Sequence, residues 1–236
     1  MKERPILFSA PMVRAILDGS KTQTRRIWKM PSWAEWDLQE GGHNAGMLIP
    51  QDPANKGWYS VDEVACPYGR PGDQLWVRET WRIGAWDETR PAFALDYRDG
   101  PRKEWVDVPD PMCDEDAMFY RLWQQSTDDA IKAGLQTADD GNYHWEPGQS
   151  PCRWRPSIHM PRWASRILLE ITVVRVERLQ DISVSDAIRE GYDGSNPSPV
   201  DPSIKWYADL WESIHGPGSW AVNPWVWVIE FRRIRS

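Results

Sequence analysis

The sequence predicts an α+β domain in which a small mixed β barrel packs with a few short helices. Three observations support this fold class: the predicted strands are short, the predicted helices are small, and the two do not alternate as in a parallel α/β sheet. The length of 236 residues corresponds to one domain, because a single hydrophobic core commonly extends to about 250 residues. We therefore predict a single domain spanning residues 1–236.

In the N-terminal part, apolar runs and the positions of Pro and Gly define the elements. Pro11 suits the first turn of a helix and Gly19 suits the position after its last turn. The turn Gly72-Asp73 precedes an apolar run that predicts a strand. The predicted elements are, in order, a strand at 4–9, a helix at 11–18, a strand at 21–28, a strand at 74–81, and a strand at 92–97 that pairs with it.

The C-terminal part predicts two strands and two helices. Either Ser183 or Ser185 would cap a short helix that runs through Glu190 and ends at Gly191. The other predicted elements are a long strand at 166–178, a helix at about 203–214 and a closing strand at 224–234.

Two segments, at about 31–71 and 100–156, lack sustained periodicity and contain frequent Pro, Gly, Asp and Asn. Such composition predicts insertions or long loops. Burying a tryptophan removes a large apolar surface from water, so we expect the tryptophans of these insertions to pack onto the core. These residues are Trp33, Trp36, Trp58, Trp105, Trp123, Trp145 and Trp154.

The composition excludes several classes of protein. With 41% hydrophobic and 27% charged residues, the chain is not globally disordered. No apolar stretch approaches the roughly 18 to 20 residues of a membrane span, and no signal peptide is recognised. The three cysteines form no CxxC pair and the four histidines show no metal-binding spacing. We therefore expect a cytoplasmic protein without a metal or other cofactor.

The formal net charge of −7 argues at first against nucleic acid as a partner. The charge is unevenly distributed, however. Residues 1–30 carry 7 basic and 2 acidic side chains, whereas residues 31–155 carry 12 and 23. The acidity therefore belongs to the region of the predicted insertions, and the N-terminal segment is basic.

The basic segment contains the residues best suited to chemistry. Lys21 lies at the junction between the first helix and the next strand, and Thr22, Thr24, Arg25 and Arg26 follow it. Burial and the two arginines would both lower the pKa of Lys21 toward a value at which an amine acts as a base. In a regular strand Thr22, Thr24 and Arg26 share one face, and Arg25 lies on the other. A solvated basic edge strand is the alternative interpretation.

Several motifs, in order along the chain, resemble those of ASCH domains, which are PUA-like pseudo-barrels linked to RNA and modified nucleosides. The first is Ile-Leu-x-Gly-x-Lys-Thr-x-Thr-x-Arg at 16–26, and the second is Gly-Asp-x-Leu-x-Val at 72–77. The long strand, short helix and closing strand of the family resemble 166–182, 185–191 and 225–231. The resemblance covers roughly 100 residues and implies a PUA-like mixed β pseudo-barrel. The segment 160–166 and the Trp-rich insertions resemble larger ASCH-like proteins of phages and prophages.

One branch of this superfamily, the bacterial N4-acetylcytidine amidohydrolases, uses a lysine, a threonine three residues later and a glutamate on the short helix. By motif position these catalytic residues correspond to Lys21, Thr24 and Glu190. The resemblance implies that Lys21 is the base, Thr24 the nucleophile and Glu190 the acid. A glutamate just before a glycine at a helix end is also a common surface residue, so a purely structural role for Glu190 is the alternative.

Further substrate-binding candidates complete the predicted site. Arg78 and Glu79 could form an ion pair in the cleft, in which Arg78 binds a phosphate or base edge and Glu79 orients Lys21 or contacts an amino group. His159 and Arg162 could line the mouth of the pocket. With Thr22, Arg25 and Arg26 they form the predicted binding set. Each of them also has a plausible structural role.

Four functional hypotheses follow from these observations. The first is binding of a modified nucleoside or nucleotide, with possible hydrolysis of an amide such as that of N4-acetylcytidine. The second is a non-catalytic module that binds RNA or modified DNA, and the third is a ribonuclease. The fourth is a phage accessory or assembly protein whose Trp-rich insertions bind protein partners. We expect the protein to lie in the cytoplasm of a bacterium or of a phage-infected host cell, with no membrane as a partner.

Overall fold

The computed structural model describes residues 1–29, 35–38, 48–52, 57–58, 66–87, 91–108, 118–139, 141–194 and 202–234. In this part of the chain strands and helices are both present, which confirms the predicted α+β class. The segments 30–34, 39–47, 53–56 and 59–65, which belong mostly to the first predicted insertion, lie outside the described residues, as do the side chains of Trp33, Trp36 and Trp58.

The elements follow one another along the chain in mixed order. The strands are β1 (Glu3–Leu7), β2 (Gln23–Ile27), β3 (Glu35–Leu38), β4 (Leu48–Asp52), β5 (Gly57–Trp58), β6 (Gln74–Arg78), β7 (Trp81–Asp87), β8 (Ala92–Tyr97), β9 (Gly100–Asp107), β10 (Leu168–Arg178) and β11 (Trp225–Ile234). The α-helices are α1 (Ala10–Asp18), α2 (Met118–Lys132), α3 (Val184–Arg189) and α4 (Pro202–His215). Short 3₁₀ helices span Ser157–His159, Arg162–Ala164 and Leu179–Asp181.

The chain forms two compact units. The first unit comprises Met1–Arg4, Asp18–Leu75 and Leu169–Ile234, and the second comprises Pro5–Leu17 and Trp76–Leu168. A single domain over residues 1–236, with insertions at about 31–71 and 100–156, stays a prediction.

The largest sheet has five strands in the order β1-β6-β10-β11-β2. This order is open, so the described strands do not close a barrel. In the first unit β11 pairs with β2 in antiparallel register, with Ile229 opposite Thr24 and Glu230 opposite Gln23. Residues opposite each other in a ladder project to the same face of the sheet. The register therefore places Gln23 and Glu230 on one face.

The core of the first unit forms between α3, α4 and β11. Tyr207 and Trp211 are one helical turn apart on the buried stripe of α4, and they pack with Leu179, Ala187 and Val228. Burying a side chain of this size stabilises the fold by roughly 1.5–3 kcal/mol, so this cluster fixes α3 and α4 against the strand.

The second unit has its own antiparallel sheet, in the order β7-β8-β9. All six residues of β8 are buried, and Phe93 stacks on Phe119 of α2 with ring centroids 4.7 Å apart. This unit therefore has a separate hydrophobic core, to which Trp81 and Met160 also belong.

The prediction of one strand at 74–81 was wrong. The expected strand at 74–81 is two strands, and β8 pairs with β7, with Trp81 opposite Tyr97. The break occurs where the backbone N–H of Glu79 donates to the Met160 sulfur (3.2 Å), which interrupts the strand ladder.

The segment 100–156 was expected to be an insertion or a long loop; it contains β9 and the 15-residue helix α2, so it is not a long loop. The buried residues of α2 are Phe119, Ser126 and Ala130, whose spacing follows a helical stripe that Gln and Asp residues on the other faces obscure. Of the tryptophans expected to pack inward, Trp123 does contact the core, whereas Trp105 and Trp154 are 49% and 37% exposed.

Candidate functional site

The segment before β2 is held by main-chain hydrogen bonds on both sides. The Thr22 N–H donates to the Arg189 carbonyl of α3, and the Thr22 carbonyl accepts from the Phe231 N–H of β11, both at 2.9 Å. At the end of α3, Gly191 adopts a φ of 105°, a conformation that favours glycine. These contacts bring Lys21 next to Glu190, although the two residues are 169 positions apart.

Lys21 and Glu190 form a buried ion pair. The Lys21 Nζ lies 2.6 Å from the Glu190 Oε2 and also donates to the Glu190 carbonyl at 2.9 Å. Lys21 is only 2% exposed and Glu190 only 3%. The alternative of a solvated basic edge strand is therefore wrong for Lys21, and the alternative of a surface position is wrong for Glu190.

The environment of Lys21 lowers its pKa below the usual value for a lysine. Burial is the main cause, because removal from water disfavours the ammonium form. Glu190 opposes this effect, while the charges of Arg26 and Arg25 add to it. The predicted direction of the shift agrees with this result, with burial as a larger cause than the two arginines.

Arg25 holds the second oxygen of the Glu190 carboxylate. Its guanidinium contacts Glu190 Oε1 at 3.3 Å and Asp186 at 3.3 Å, and it also donates to Glu177. The same guanidinium lies 5.8 Å from the centre of the Tyr207 ring. One oxygen of Glu190 therefore faces Lys21 and the other faces Arg25, which restricts rotation of the carboxylate.

The pair belongs to a larger ionic network on one face of the sheet. Arg175 of β10 bonds Glu177 and Asp186, each at 3.1 Å, and also Glu230 of β11. Gln23 is fully buried beside Asp186 and Arg25, and the amide orientation that satisfies both neighbours has its nitrogen donating to Asp186 at 3.0 Å and its oxygen accepting from Arg25. Buried charges are costly unless they are paired, and here both signs occur in similar number.

Thr24 is buried, at 3% exposure, in the middle of β2. Strand alternation places it with Arg26 on the face opposite Gln23 and Arg25. The structure thus brings Lys21 and Glu190 together, and Arg25 with them. The nucleophilic role of Thr24 and the substrate contacts of Thr22 and Arg26 stay predictions.

The sequence interpretation missed Tyr207, Asp186, Glu177 and Arg175. Tyr207 is 3% exposed, and its pKa is raised far above the usual value, first by burial and then by the charge of Glu190. The sequence signal that could have identified Arg175 and Glu177 is their spacing of two residues along the predicted long strand, which places both on one face of that strand.

The other predicted binding residues belong to the second unit. The Glu79 carboxylate is bound by Arg166 through two hydrogen bonds, of 3.0 and 2.9 Å, and both side chains are nearly buried. Arg78 lies over the Trp76 ring at 4.7 Å and donates to the Ile158 carbonyl. His159 and Arg162 are exposed on two short 3₁₀ helices. Substrate contacts of these four residues stay predictions.

Neither a metal site nor a membrane-spanning helix is found among the described residues. No group of three or more His, Cys, Asp or Glu side chains is arranged to hold a metal ion. None of the helices in the described part of the chain is long and apolar enough to cross a membrane.

Comparison with protein-family models, with curated proteins and with solved structures finds no match to this chain.

Proposed function

We propose that the first unit binds a modified nucleoside or nucleotide at Lys21 and Glu190 and hydrolyses an amide such as that of N4-acetylcytidine. The observation that carries this proposal is the buried pair itself, a lysine of lowered pKa hydrogen-bonded at 2.6 Å to a carboxylate. Perturbed titratable groups of this kind are concentrated at catalytic sites.

We also propose that the chain has the PUA-like pseudo-barrel fold of ASCH domains. The motifs that resemble this family lie on regular elements in the expected order: β2, β6, β10, α3 and β11. The strands that carry them are neighbours in the five-stranded sheet. This agreement supports the proposal without depending on any single motif.

The Lys21–Glu190 pair can supply both the base and the acid of an amide hydrolysis. Transfer of one proton along the 2.6 Å hydrogen bond converts ammonium and carboxylate into amine and carboxylic acid, with no change in net charge. Burial favours the amine side of this transfer, because it disfavours the ammonium form of Lys21.

In the proposed reaction the Lys21 amine accepts the proton of the Thr24 hydroxyl, and the Thr24 oxygen forms a bond to the acyl carbon. The carbon–nitrogen bond then breaks, and the Glu190 carboxylic acid donates its proton to the departing amine of cytidine. Water hydrolyses the acyl-threonine, which releases acetate and restores the hydroxyl of Thr24. Lys21 and Glu190 act in reversed roles in this second step.

The test is incubation with N4-acetylcytidine and chromatographic measurement of cytidine and acetate. We expect Lys21→Ala to lower the rate by at least about a hundredfold, the contribution typical of a general base. Lys205→Ala is the matched control, because Lys205 is an exposed lysine of α4 that pairs with Asp209. Thr24→Ser should retain activity that Thr24→Ala loses. Absence of turnover by the wild type, or undiminished turnover in Lys21→Ala, would contradict the proposal.

The pH dependence of the same reaction provides a second readout. Because the active pair holds one proton, the rate should fall as the pH rises through the pKa of Lys21, where the pair loses that proton and with it the acid. The lowered pKa places this fall below pH 10.5, the ordinary value for lysine. A rate that still rises at that pH would contradict the proposed use of the pair as base and acid.

A non-catalytic module that binds RNA or modified DNA is the second candidate, and the excess of basic residues in 1–30 favours it. Such binding neutralises phosphates and releases counterions, so the affinity for an oligonucleotide should fall steeply with salt. An affinity that does not change with salt would exclude this candidate.

A further inference from the structure

The second unit contains a cavity of about 490 Å³ that is lined by three arginines. Arg14, Arg82 and Arg98 line it, together with Asp96, Asp99 and Trp154. Cavities that bind small ligands have volumes of roughly 300–1,000 Å³, so this one is large enough for a nucleotide.

Two of the three arginines are neutralised by carboxylates in the cavity wall. Arg82 Nε donates to Asp96 at 3.0 Å, and Arg14 forms an ion pair with Asp99. The carboxylates are 9% and 10% exposed, so they are turned away from bulk solvent. The charges of Asp96 and Asp99 are therefore balanced by those of Arg82 and Arg14 within the cavity wall.

Arg98 supplies the remaining charge. Its side chain is exposed, and among the described residues its guanidinium has no carboxylate partner; it lies 5.8 Å from the centre of the Trp154 ring. The described lining therefore carries one positive charge in excess.

The cavity also offers hydrogen-bond donors that are fixed in place. Arg82 is held by Asp96, by the Ser150 carbonyl at 2.6 Å and by the Gly148 carbonyl, and its guanidinium lies 4.5 Å from the centre of the Trp154 ring. These contacts use three of its five N–H groups, which leaves two for a ligand. A preorganised guanidinium beside a second, exposed one matches the geometry of phosphate oxygens.

We propose that this cavity binds a phosphate group, through Arg98 and the remaining N–H groups of Arg82. The phosphate is carried either by a free nucleotide or by a nucleic acid backbone, because both present the same anionic oxygens. Trp154 holds the two guanidinium groups at their present positions through its ring. This site lies in the second unit and does not depend on the function proposed for Lys21.

The test is calorimetric titration of the full chain with inorganic phosphate, adenosine monophosphate, adenosine and a ten-nucleotide oligouridylate. We expect phosphate and adenosine monophosphate to bind, and adenosine not to bind. Arg98→Ala should weaken this binding by about tenfold, because it removes charge-assisted hydrogen bonds to the phosphate at an exposed position. Arg98→Lys should recover part of the affinity, since it retains the charge without the planar fork.

Arg121→Ala is the matched control, because Arg121 is an exposed arginine of α2 in the same unit that does not line the cavity. It should change the affinity less than twofold.

Tighter binding of the oligouridylate, with a salt dependence that Arg98→Ala reduces, would identify the backbone as the source of the phosphate. An affinity for adenosine monophosphate equal to that for the oligouridylate would identify the free nucleotide as the source. Failure of phosphate to bind at millimolar concentration, or equal losses in Arg98→Ala and Arg121→Ala, would overturn the proposal.

Discussion

Arg25 contacts three carboxylates at once, those of Glu177, Asp186 and Glu190, from a side chain that is fully buried. A buried charge loses its hydration, and only interactions with paired charges compensate for that loss. The arrangement therefore links the position of Glu190, and through it Lys21, to the integrity of the ionic network.

Replacing Arg25 by an apolar residue of similar length tests this link. We expect Arg25→Met to lower the free energy of unfolding by roughly 3–5 kcal/mol, because it leaves buried carboxylates without their partner. Arg189→Met is the control: Arg189 contacts Asp186 and Glu230 at 4.0 and 3.6 Å but is 48% exposed. Solvent screens such a pair, so the loss there should stay below about 1 kcal/mol. Urea denaturation measures both, and equal losses would contradict the argument.

At the scale of elements, α3 is the shortest α-helix described, and it contributes residues both to its own N-terminal cap and to the ionic network. Its N-terminus has a capping box, in which the Ser183 hydroxyl accepts from the Asp186 N–H and the Asp186 side chain accepts from the Ser183 N–H. Asp186 also bonds Arg25 and Arg175. The helix start is thus joined to the ionic network, and its last turn leads directly to Glu190.

The cap can be tested by substitution. Ser183→Ala should lower the free energy of unfolding by about 1 kcal/mol, the usual cost of losing an N-cap. Ser185→Ala, within the exposed face of the same helix, should change it by less than about 0.5 kcal/mol. Thermal or urea denaturation of both variants is the measurement. A larger loss in Ser185→Ala would assign the cap to the other serine that the sequence allowed.

The loss of stability caused by Ser183→Ala should depend on pH. Burial raises the pKa of Asp186, but the hydrogen bond from Ser183 and the charges of Arg25 and Arg175 outweigh it, so the pKa lies below the ordinary 3.8. A carboxyl group whose pKa is lowered in the folded state stabilises the fold when the pH is above the ordinary pKa of that group. This stabilisation is lost as the pH falls through the folded-state pKa. The difference between Ser183→Ala and the wild type should therefore shrink in acid.

At the scale of the whole molecule, the net charge of −7 bears on which substrate can approach. A negatively charged protein repels a long polyanion more strongly than a neutral nucleoside, and salt screens this repulsion. We expect kcat/KM for free N4-acetylcytidine to exceed that for the same base within an oligonucleotide at low salt. The difference should narrow as salt is added. A preference for the oligonucleotide that weakens with salt would instead favour the RNA-binding candidate.

Local sequence patterns determined most of the elements of this protein. The helix before Lys21, the long strand that becomes β10, the capped helix α3 and the closing strand β11 lie within a few residues of their predicted positions. Capping, apolar periodicity and the placement of Pro and Gly act over one or two turns of chain, so they can be read without knowing the fold.

Only the tertiary structure decided which distant residues meet. The contact of Lys21 with Glu190, the convergence of Arg25 with Glu177, and the binding of Glu79 by Arg166 each join positions more than 80 residues apart. The order of strands in the sheet and the packing of α3 and α4 bring these side chains together, and no local pattern encodes that order. The sequence by itself therefore determined which residues could do chemistry. The long-range pairing and burial determined which of them are placed to do it, because they set the distances, the exclusion of water and the pKa of Lys21.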